Sequence, residues 1–285
     1  MLAARFHASD RSLTVEDVPI PEPGPLEVLV KVEACGICLS DIHLIDGSFP
    51  AVKDVVTMGH ESAGVVAKTG AMVQGWKEGD RVVVMAGRPC MHCERCLTGR
   101  LDSCLAFELM GFHYDGAWAE YTCAPYFGLT RVPDGIDLEQ AAILVDAVAT
   151  PYAAITERAA LRPGETIGLW GIGGLGTHAV QIARLVGASL IIAVDPLPSA
   201  RDRALKLGAD VALDPLAVDV VAEVQKLTGG LGLDVTLDLV GANSVLQQGV
   251  QSLGRNGRAV MVGITGTVGG DAQGAGAQHL RGGDG

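Results

Sequence analysis

The chain has 285 residues, enough for two modest domains or one large α/β domain, and 48% hydrophobic against 19% charged residues excludes disorder as the default. A formal net charge of −12 disfavours nucleic acid, whose phosphates reward Lys and Arg, and it disfavours an anionic membrane surface. The opening MLAARFHASD lacks an apolar export core and a small-residue cleavage site, so a cytoplasmic protein is expected, and its seven cysteines point to metal ligation or free thiols before disulfides.

The first 140 or so residues read as β-rich. Glu27–Glu33 alternates only in part, and Gly64–Lys68 and Arg81–Met85 are short β-branched runs between glycines. Turns are expected at Pro23-Gly24, at Glu78-Gly79-Asp80 and at Asp134-Gly135. Many short strands with this punctuation suggest a barrel or sandwich.

Within this part stands Cys90-x2-Cys93-x2-Cys96-x7-Cys104. Four thiolates at such spacing can close a tetrahedron around Zn²⁺ with no open position, which makes a structural site. Arg88, Arg95 and Arg100 are expected to help hold the thiolates deprotonated. A zinc ribbon for nucleic acid has similar spacing, but the net charge argues against it.

From about Thr166 strands and helices alternate. Strands are expected at Thr166–Trp170, Leu190–Val194, Val211–Leu213, Asp234–Val240 and Arg258–Val262. Helices are expected at Leu175–Val186 (stopped by Gly187), Ser199–Leu207 (capped by Ser199, stopped by Gly208), Leu216–Leu227 and Asn243–Leu253. This alternation means a parallel sheet with helices on both faces. The uncharged stretch Thr166–Ala183 carries five glycines, His178 and Gln181, so it reads as strand, turn and helix and not as a membrane span.

Gly171-Ile172-Gly173-Gly174-Leu175-Gly176 fits G-x-G-x-x-G between an expected strand and helix, with Asp195 closing the next strand. Gly171 permits the tight turn, Gly173 lets the backbone approach a pyrophosphate, and Gly176 lets helix and strand pack closely. Asp195 is placed to accept hydrogen bonds from the adenosine ribose, which favours NAD over NADP; Arg201, six residues on, could soften that preference. The last 21 residues carry eight glycines and little apolar periodicity, so the sheet is expected to stop after about five strands.

Three further segments complete a pattern. They are Gly36-Ile37-Cys38-Leu39-Ser40-Asp41-Ile42-His43, Gly59-His60-Glu61-x2-Gly64, and Leu144-Val145-Asp146 through Thr150-Pro151-Tyr152. With the four cysteines, Gly79-Asp80-Arg81-Val82 and the Gly-rich turn, in this order as far as about Gly263, they resemble the zinc-dependent medium-chain dehydrogenase/reductase family, alcohol dehydrogenase type. The resemblance implies an α/β fold: an N-terminal β-rich GroES-like barrel domain over 1–147 with a zinc lobe at about 88–106, then a doubly wound Rossmann domain over 148–264 that lacks its last strand or strands. A disordered Gly-rich tail is expected over 265–285. It also implies two zinc ions per chain, NAD as the coenzyme and a small-molecule alcohol or carbonyl substrate. Family members form dimers or tetramers.

Residue by residue, the resemblance makes Cys38, His60 and Asp146 the protein ligands of the catalytic zinc, with Glu61 an intermittent one. Asp146 stands where many members have a cysteine; a carboxylate for a thiolate keeps the ligand charge at −2 and is expected to loosen selectivity for zinc. Ser40 takes the hydroxyl proton of the alcohol, His43 relays it towards solvent, Asp41 orients His60 and Thr150 packs near the nicotinamide. Gly171, Gly173, Gly174, Leu175, Gly176, Asp195 and Arg201 hold the coenzyme. Cys90, Cys93, Cys96 and Cys104 hold the structural zinc. Cys35 and Cys123 are left as buried thiols, and Phe49, Phe112 and Trp118 as walls of the substrate pocket.

The expected activity is hydride transfer between an alcohol (secondary, cyclic or polyol) and NAD. A second reading is a truncated relative that binds zinc and nucleotide without useful turnover. A zinc-independent quinone or enoyl reductase is disfavoured by Cys38, His60 and the four cysteines.

Overall fold

The computed structural model describes residues 1–264 and 278–281. The chain divides into two compact units, Met1–Asp146 and Ala147–Gly285.

The first unit holds ten strands: β1 (Leu2–His7), β2 (Ser12–Asp17), β3 (Glu27–Gly36), β4 (Val55–Thr57), β5 (Glu61–Thr69), β6 (Arg81–Val84), β7 (Gly87–Arg88), β8 (Glu108–Leu109), β9 (Tyr121–Pro125) and β10 (Leu129–Arg131). Three short helices accompany them, α1 (Leu39–Asp46), α2 (Glu94–Leu97) and α3 (Leu138–Ala142). The strands form a three-stranded sheet in the order β2-β1-β4, a five-stranded sheet in the order β10-β6-β5-β3-β9, and the β7-β8 pair, all antiparallel.

The incomplete alternation of Glu27–Glu33 has a physical reason. The five-stranded sheet is covered on both faces. Val28 and Val30 enter one core with Val66, Val82, Val84 and Met110, while Ala63 and Val83 pack on the other face against Ala141 and Ala142 of α3. A strand covered on both sides need not alternate.

The second unit opens on α4 (Ala149–Ala153), whose last turn widens into a π-helical turn over Ala154–Arg158. Then come β11 (Thr166–Trp170), α5 (Gly174–Val186), β12 (Leu190–Val194), α6 (Pro198–Leu207), β13 (Val211–Leu213), α7 (Val220–Leu227), β14 (Leu233–Asp238), α8 (Asn243–Gln251), β15 (Leu253–Met261) and β16 (Gln278–Arg281). The sheet order is β13-β12-β11-β14-β15-β16. The first five strands are parallel, and β16 joins antiparallel to β15.

Alternate residues feed two cores, as a doubly wound sheet requires. Ile167, Leu169, Ile191 and Ala193 enter one, and Trp170, Ile192 and Val194 enter the other. Gly187 and Gly208 end their helices in the left-handed conformation, with φ of 96° and 116°, where a Cβ would be strained.

Three expectations are corrected. Ser199 does not cap α6: Leu197 is the N-cap and Pro198 takes the first helical turn, where its missing N–H costs nothing. The third helix begins at Val220 and not at Leu216, because the Asp219 carboxylate accepts from the Ala222 N–H at 3.1 Å and caps it there. The sheet has six strands and not five, since backbone pairing with β15 recruits 278–281 from the Gly-rich segment. The rest of the tail expected to be disordered lies outside the described residues. No single helix among the described residues is long and apolar enough to cross a membrane.

Candidate metal centres and coenzyme turn

Three elements of the first unit converge on one point. Cys38 is the N-cap of α1, and its backbone N–H donates to Asp41 Oδ2 at 2.9 Å. His60 and Glu61 stand at the start of β5. Asp146 follows the short 3-10 turn Ile143–Val145 that continues from α3, and packing of α3 and Val145 against the sheet brings it in. Asp146 Oδ2 lies 3.6 Å from Cys38 Sγ and 3.5 Å from His60 Nε2. Ligands of a tetrahedral zinc, with bonds of about 2.0–2.3 Å, stand roughly 3.3–3.8 Å apart. The donor atoms of Cys38, His60, Glu61 and Asp146 all lie within 4.8 Å of one another.

The surroundings call for a cation. Asp41, His60 and Glu61 are buried, and clustered buried carboxylates are costly without positive charge. Burial works against a charged imidazole, yet the neighbouring carboxylates of Asp146 and Asp41 and the Cys38 sulfur push His60 up to about 12. Burial, then the charges of Asp146 and Asp41, pushes the Glu61 carboxyl up to about 7, with His60 opposing. Asp41 Oδ1 and His60 Nδ1 face each other at 3.4 Å without hydrogen-bond geometry, so both remain buried and unsatisfied. An ion drawing on Nε2 would polarise the Nδ1–H towards that carboxylate. Gly36 makes room for the site: a Cβ there would fall 2.3 Å from Glu61 Oε2.

Ser40 Oγ lies 3.5 Å from Cys38 Sγ. His43 packs on Phe49 with ring centroids 5.1 Å apart, and both ring nitrogens are buried without a hydrogen bond. Its Nδ1 is 3.8 Å from Asp46 Oδ2. Thr150 is the second residue of α4, in the second unit.

Of the three rings expected to wall the pocket, Phe112 is buried, while Phe49 and Trp118 are half-buried. Phe112 is 6% exposed, 5.8 Å from the His60 ring, and belongs to a core with Phe6, Leu44 and Met58 that Phe49 and Trp118 complete. Trp118 Nε1 donates to the Gly36 carbonyl at 3.1 Å.

The four-cysteine lobe folds on itself. Sulfur–sulfur distances are 3.5 Å for Cys93–Cys96, 3.9 Å for Cys90–Cys96 and 4.0 Å for Cys93–Cys104. A disulfide needs about 2.05 Å, whereas a tetrahedral tetrathiolate zinc needs roughly 3.8 Å. The backbone N–H groups of Cys96 and Leu105 hold the Cys93 thiol down to about 6. Those of Cys90 and Ala106 lower Cys104. Burial pushes Cys96 up to about 12.

Two of the arginines expected to do this, Arg88 and Arg100, are engaged elsewhere. Arg88 is committed to Glu108 at 2.5 Å and lies over the Tyr114 ring, and Arg100 donates to Thr98. Backbone amides supply the stabilisation because the knuckle aims them inward.

In the second unit the Gly-rich turn joins β11 to α5. Gly171 has a φ of 89°, and a Cβ on Gly176 would meet the Gly171 carbonyl oxygen at 2.1 Å. A Cβ on Gly173 or Gly174 would meet nothing within 4 Å. That open cradle lies at the start of a 13-residue helix whose N-cap, Gly173, has no side chain to satisfy the first N–H groups. The groups present therefore fit a pyrophosphate. Asp195 is 8% exposed and fixed by two backbone donors, Ile172 N to Oδ2 at 2.7 Å and Leu197 N to Oδ1 at 2.8 Å.

Arg201 is not free. It donates to the Asp195 and Pro196 carbonyls and pairs with Asp214. Arg203 donates to Thr177 Oγ1 and to the Ile172 carbonyl. Asp214 and Arg203 escaped the sequence reading; the one available signal was the place of Asp214 directly after a strand.

Residues 24–134 match the family model described as the alcohol dehydrogenase GroES-like domain, and residues 174–278 match that of the zinc-binding dehydrogenase. A NAD-dependent alcohol dehydrogenase of Sulfurisphaera tokodaii is 36% identical over 275 residues, covering 93% of this chain and 79% of its own. The solved alcohol dehydrogenase of Aeropyrum pernix superposes with a TM-score of 0.86 at 32% identity, covering 94% of this chain and 80% of its own. A Sinorhizobium meliloti chain, described as a zinc-binding dehydrogenase bound to NADP, superposes with a TM-score of 0.87 at 32% identity, covering 94% and 78%.

Proposed function

The chain belongs to the zinc-dependent medium-chain dehydrogenase family, alcohol dehydrogenase type, and from that premise we propose that it oxidises secondary, cyclic or polyol alcohols with NAD through a zinc held by Cys38, His60 and Asp146. The observation that carries this reading is the approach of Asp146 Oδ2 to within 3.6 Å of Cys38 Sγ and 3.5 Å of His60 Nε2. Residues 1–147 carry the chemistry and residues 148–264 the coenzyme. A second zinc sits among Cys90, Cys93, Cys96 and Cys104.

Zinc, when bound, supplies an electrophile that polarises the substrate oxygen. The protein does the rest. Cys38 and Asp146 would supply two negative charges to such an ion, and His60, on giving up its Nε2 proton to it, a neutral nitrogen. Asp41 orients His60. Ser40 Oγ takes the hydroxyl proton as its own passes on, and His43 carries that proton away. The coenzyme, when bound, would supply the acceptor for the substrate's hydride and its two electrons, leaving a carbonyl compound. The helix N-terminus behind Gly173, Gly174, Leu175 and Gly176 takes the pyrophosphate, and Asp195 takes the ribose hydroxyls. Cytoplasmic residence fits the seven free thiols.

The test is NAD⁺ reduction by the full chain with a panel of secondary alcohols and diols, before and after chelation. Turnover that chelation removes and zinc restores is expected. Absence of turnover beside two retained zinc ions would favour a relative that binds without reacting.

A further inference from the structure

Arg201 is held between the C-terminal ends of β12 and β13. Its Nη1 donates to the carbonyls of Asp195 at 2.8 Å and Pro196 at 2.7 Å, and its Nη2 stands 3.0 Å from Asp214 Oδ2. The Arg201 and Asp214 side chains are 19% and 26% exposed, so the pair is shielded from water and salt better than a surface pair. Asp214 is itself fixed, because its Oδ1 accepts from Leu216 N at 2.9 Å. The carboxylate of Asp195, on the neighbouring strand end, is bound by two backbone N–H groups and pairs with neither arginine.

The consequence concerns the two adenine dinucleotides. They differ by a phosphate on the adenosine 2′ oxygen, which brings about −1.5 to −2 charges near neutral pH. Asp195 alone repels it. Many sites overcome such repulsion with an arginine, whose planar fork matches phosphate oxygens. This chain has an arginine at the place, but Asp214 draws it onto the β13 side and cancels its charge.

We propose that Asp214 is a specificity-determining residue for the coenzyme: by holding Arg201, it leaves Asp195 without a counter-cation and so excludes the 2′-phosphate. The inference rests on the NAD reading above. Arg203 does not take over, since its guanidinium is turned to the Ile172 carbonyl and Thr177 Oγ1.

The experiment measures Kd for NAD⁺ and NADP⁺ by calorimetry on the zinc-loaded full chain. The variants are Asp214→Asn, which can keep the bond to Leu216, Arg201→Ala, and the two combined. In Asp214→Asn, NADP⁺ affinity is expected to rise about tenfold relative to NAD⁺, the size of one charge-assisted hydrogen bond to phosphate. The gain should vanish when Arg201→Ala is added. Arg201→Ala alone, with Asp214 in place, should shift the NADP⁺/NAD⁺ ratio by less than about threefold, the reach of a weak ion pair. An unchanged ratio in Asp214→Asn, a gain that survives Arg201→Ala, or a large shift in Arg201→Ala alone overturns the proposal. Should Asp214→Asn not fold, the Arg201→Ala arm decides. A wild-type chain that binds NADP⁺ more tightly than NAD⁺ refutes the NAD reading instead, and the variant ratios still judge Asp214.

Discussion

Cys38 Sγ and Asp146 Oδ2 lie 3.6 Å apart although 108 positions separate them in the chain. The contact joins the N-cap of α1 to the residue that follows the turn Ile143–Val145, which packs with α3 on the five-stranded sheet. At that distance the thiol donates to the carboxylate; were both groups to become anions, the pair would need a cation to share.

Asp146→Ala is expected to remove one of the two zinc ions and to lower turnover by at least about 100-fold, the upper range seen when even an outer-sphere partner of a metal is lost. Asp146→Cys should keep the ion, because the charge of the ligand set is unchanged. Elemental analysis beside turnover decides. An Asp146→Ala protein with full zinc and full rate would move the centre elsewhere.

The lobe behaves separately from that centre. Cys104 accepts from the N–H groups of Cys90 and Ala106 at 3.2 and 3.4 Å. Cys104→Ser should release the other zinc and cost about 4 kcal/mol, the scale of losing a structural metal. Calorimetry should show the lower Tm while the ion at Cys38, His60 and Asp146 is retained.

Arg258 clasps Glu165 with a two-pronged pair, Nη1 to Oε1 at 3.0 Å and Nη2 to Oε2 at 2.6 Å, and its Nε reaches the Ala159 carbonyl at 2.6 Å. Hydrogen bonding from Arg258 holds the Glu165 carboxyl below its usual range. Arg258→Lys cannot reproduce the fork and is expected to lose about 2 kcal/mol, as for a charge-assisted bond broken without replacement. Chemical denaturation reads this directly. A lysine variant of unchanged stability would show that the carbonyl contact suffices.

Asp238 ends β14 with Oδ1 accepting from Val240 N and Gly241 N, both at 2.8 Å, while Oδ2 is buried without a partner. Burial raises its pKa above the usual aspartate value, and those two donors oppose the rise. The folded state therefore binds this proton more tightly than the unfolded chain does. Stability from this group is present at low pH and declines as pH rises through the carboxylate range. Asp238→Asn keeps the turn and removes the buried charge, so it should melt higher than the parent near neutral pH, by about 1 kcal/mol, with the advantage shrinking in acid. Melting curves across that range test the sign.

Much of the fold was readable beforehand because its signals are local. β11 and β12 stand where their short apolar runs predicted, since a parallel strand covered on both faces reads as such a run; β13 also stands where expected, half-buried at the sheet edge. The end of α5 was readable from Gly187. The start of α7 was not, because Asp219 outcompetes the apolar periodicity upstream. β16 was not readable either: its pairing depends on the free edge of β15, which no composition of 278–281 announces.

For the site, local spacing pointed to the four cysteines and the Gly-rich turn, because such motifs occupy short stretches of chain, whereas Cys38, His60 and Asp146 were expected only through the family resemblance. Spacing puts Cys90, Cys93, Cys96 and Cys104 in one knuckle, and it places Gly171, Gly173 and Gly176 in the one turn between β11 and α5. Only the tertiary structure decided that Phe112 packs near the His60 ring and Trp118 donates to the Gly36 carbonyl, that amides and not arginines lower the Cys93 thiol, and that Arg201 is spent on Asp214. Those are meetings between residues distant in sequence, and such distances are set by how the sheet and its covering helices pack, not by any run of neighbouring residues.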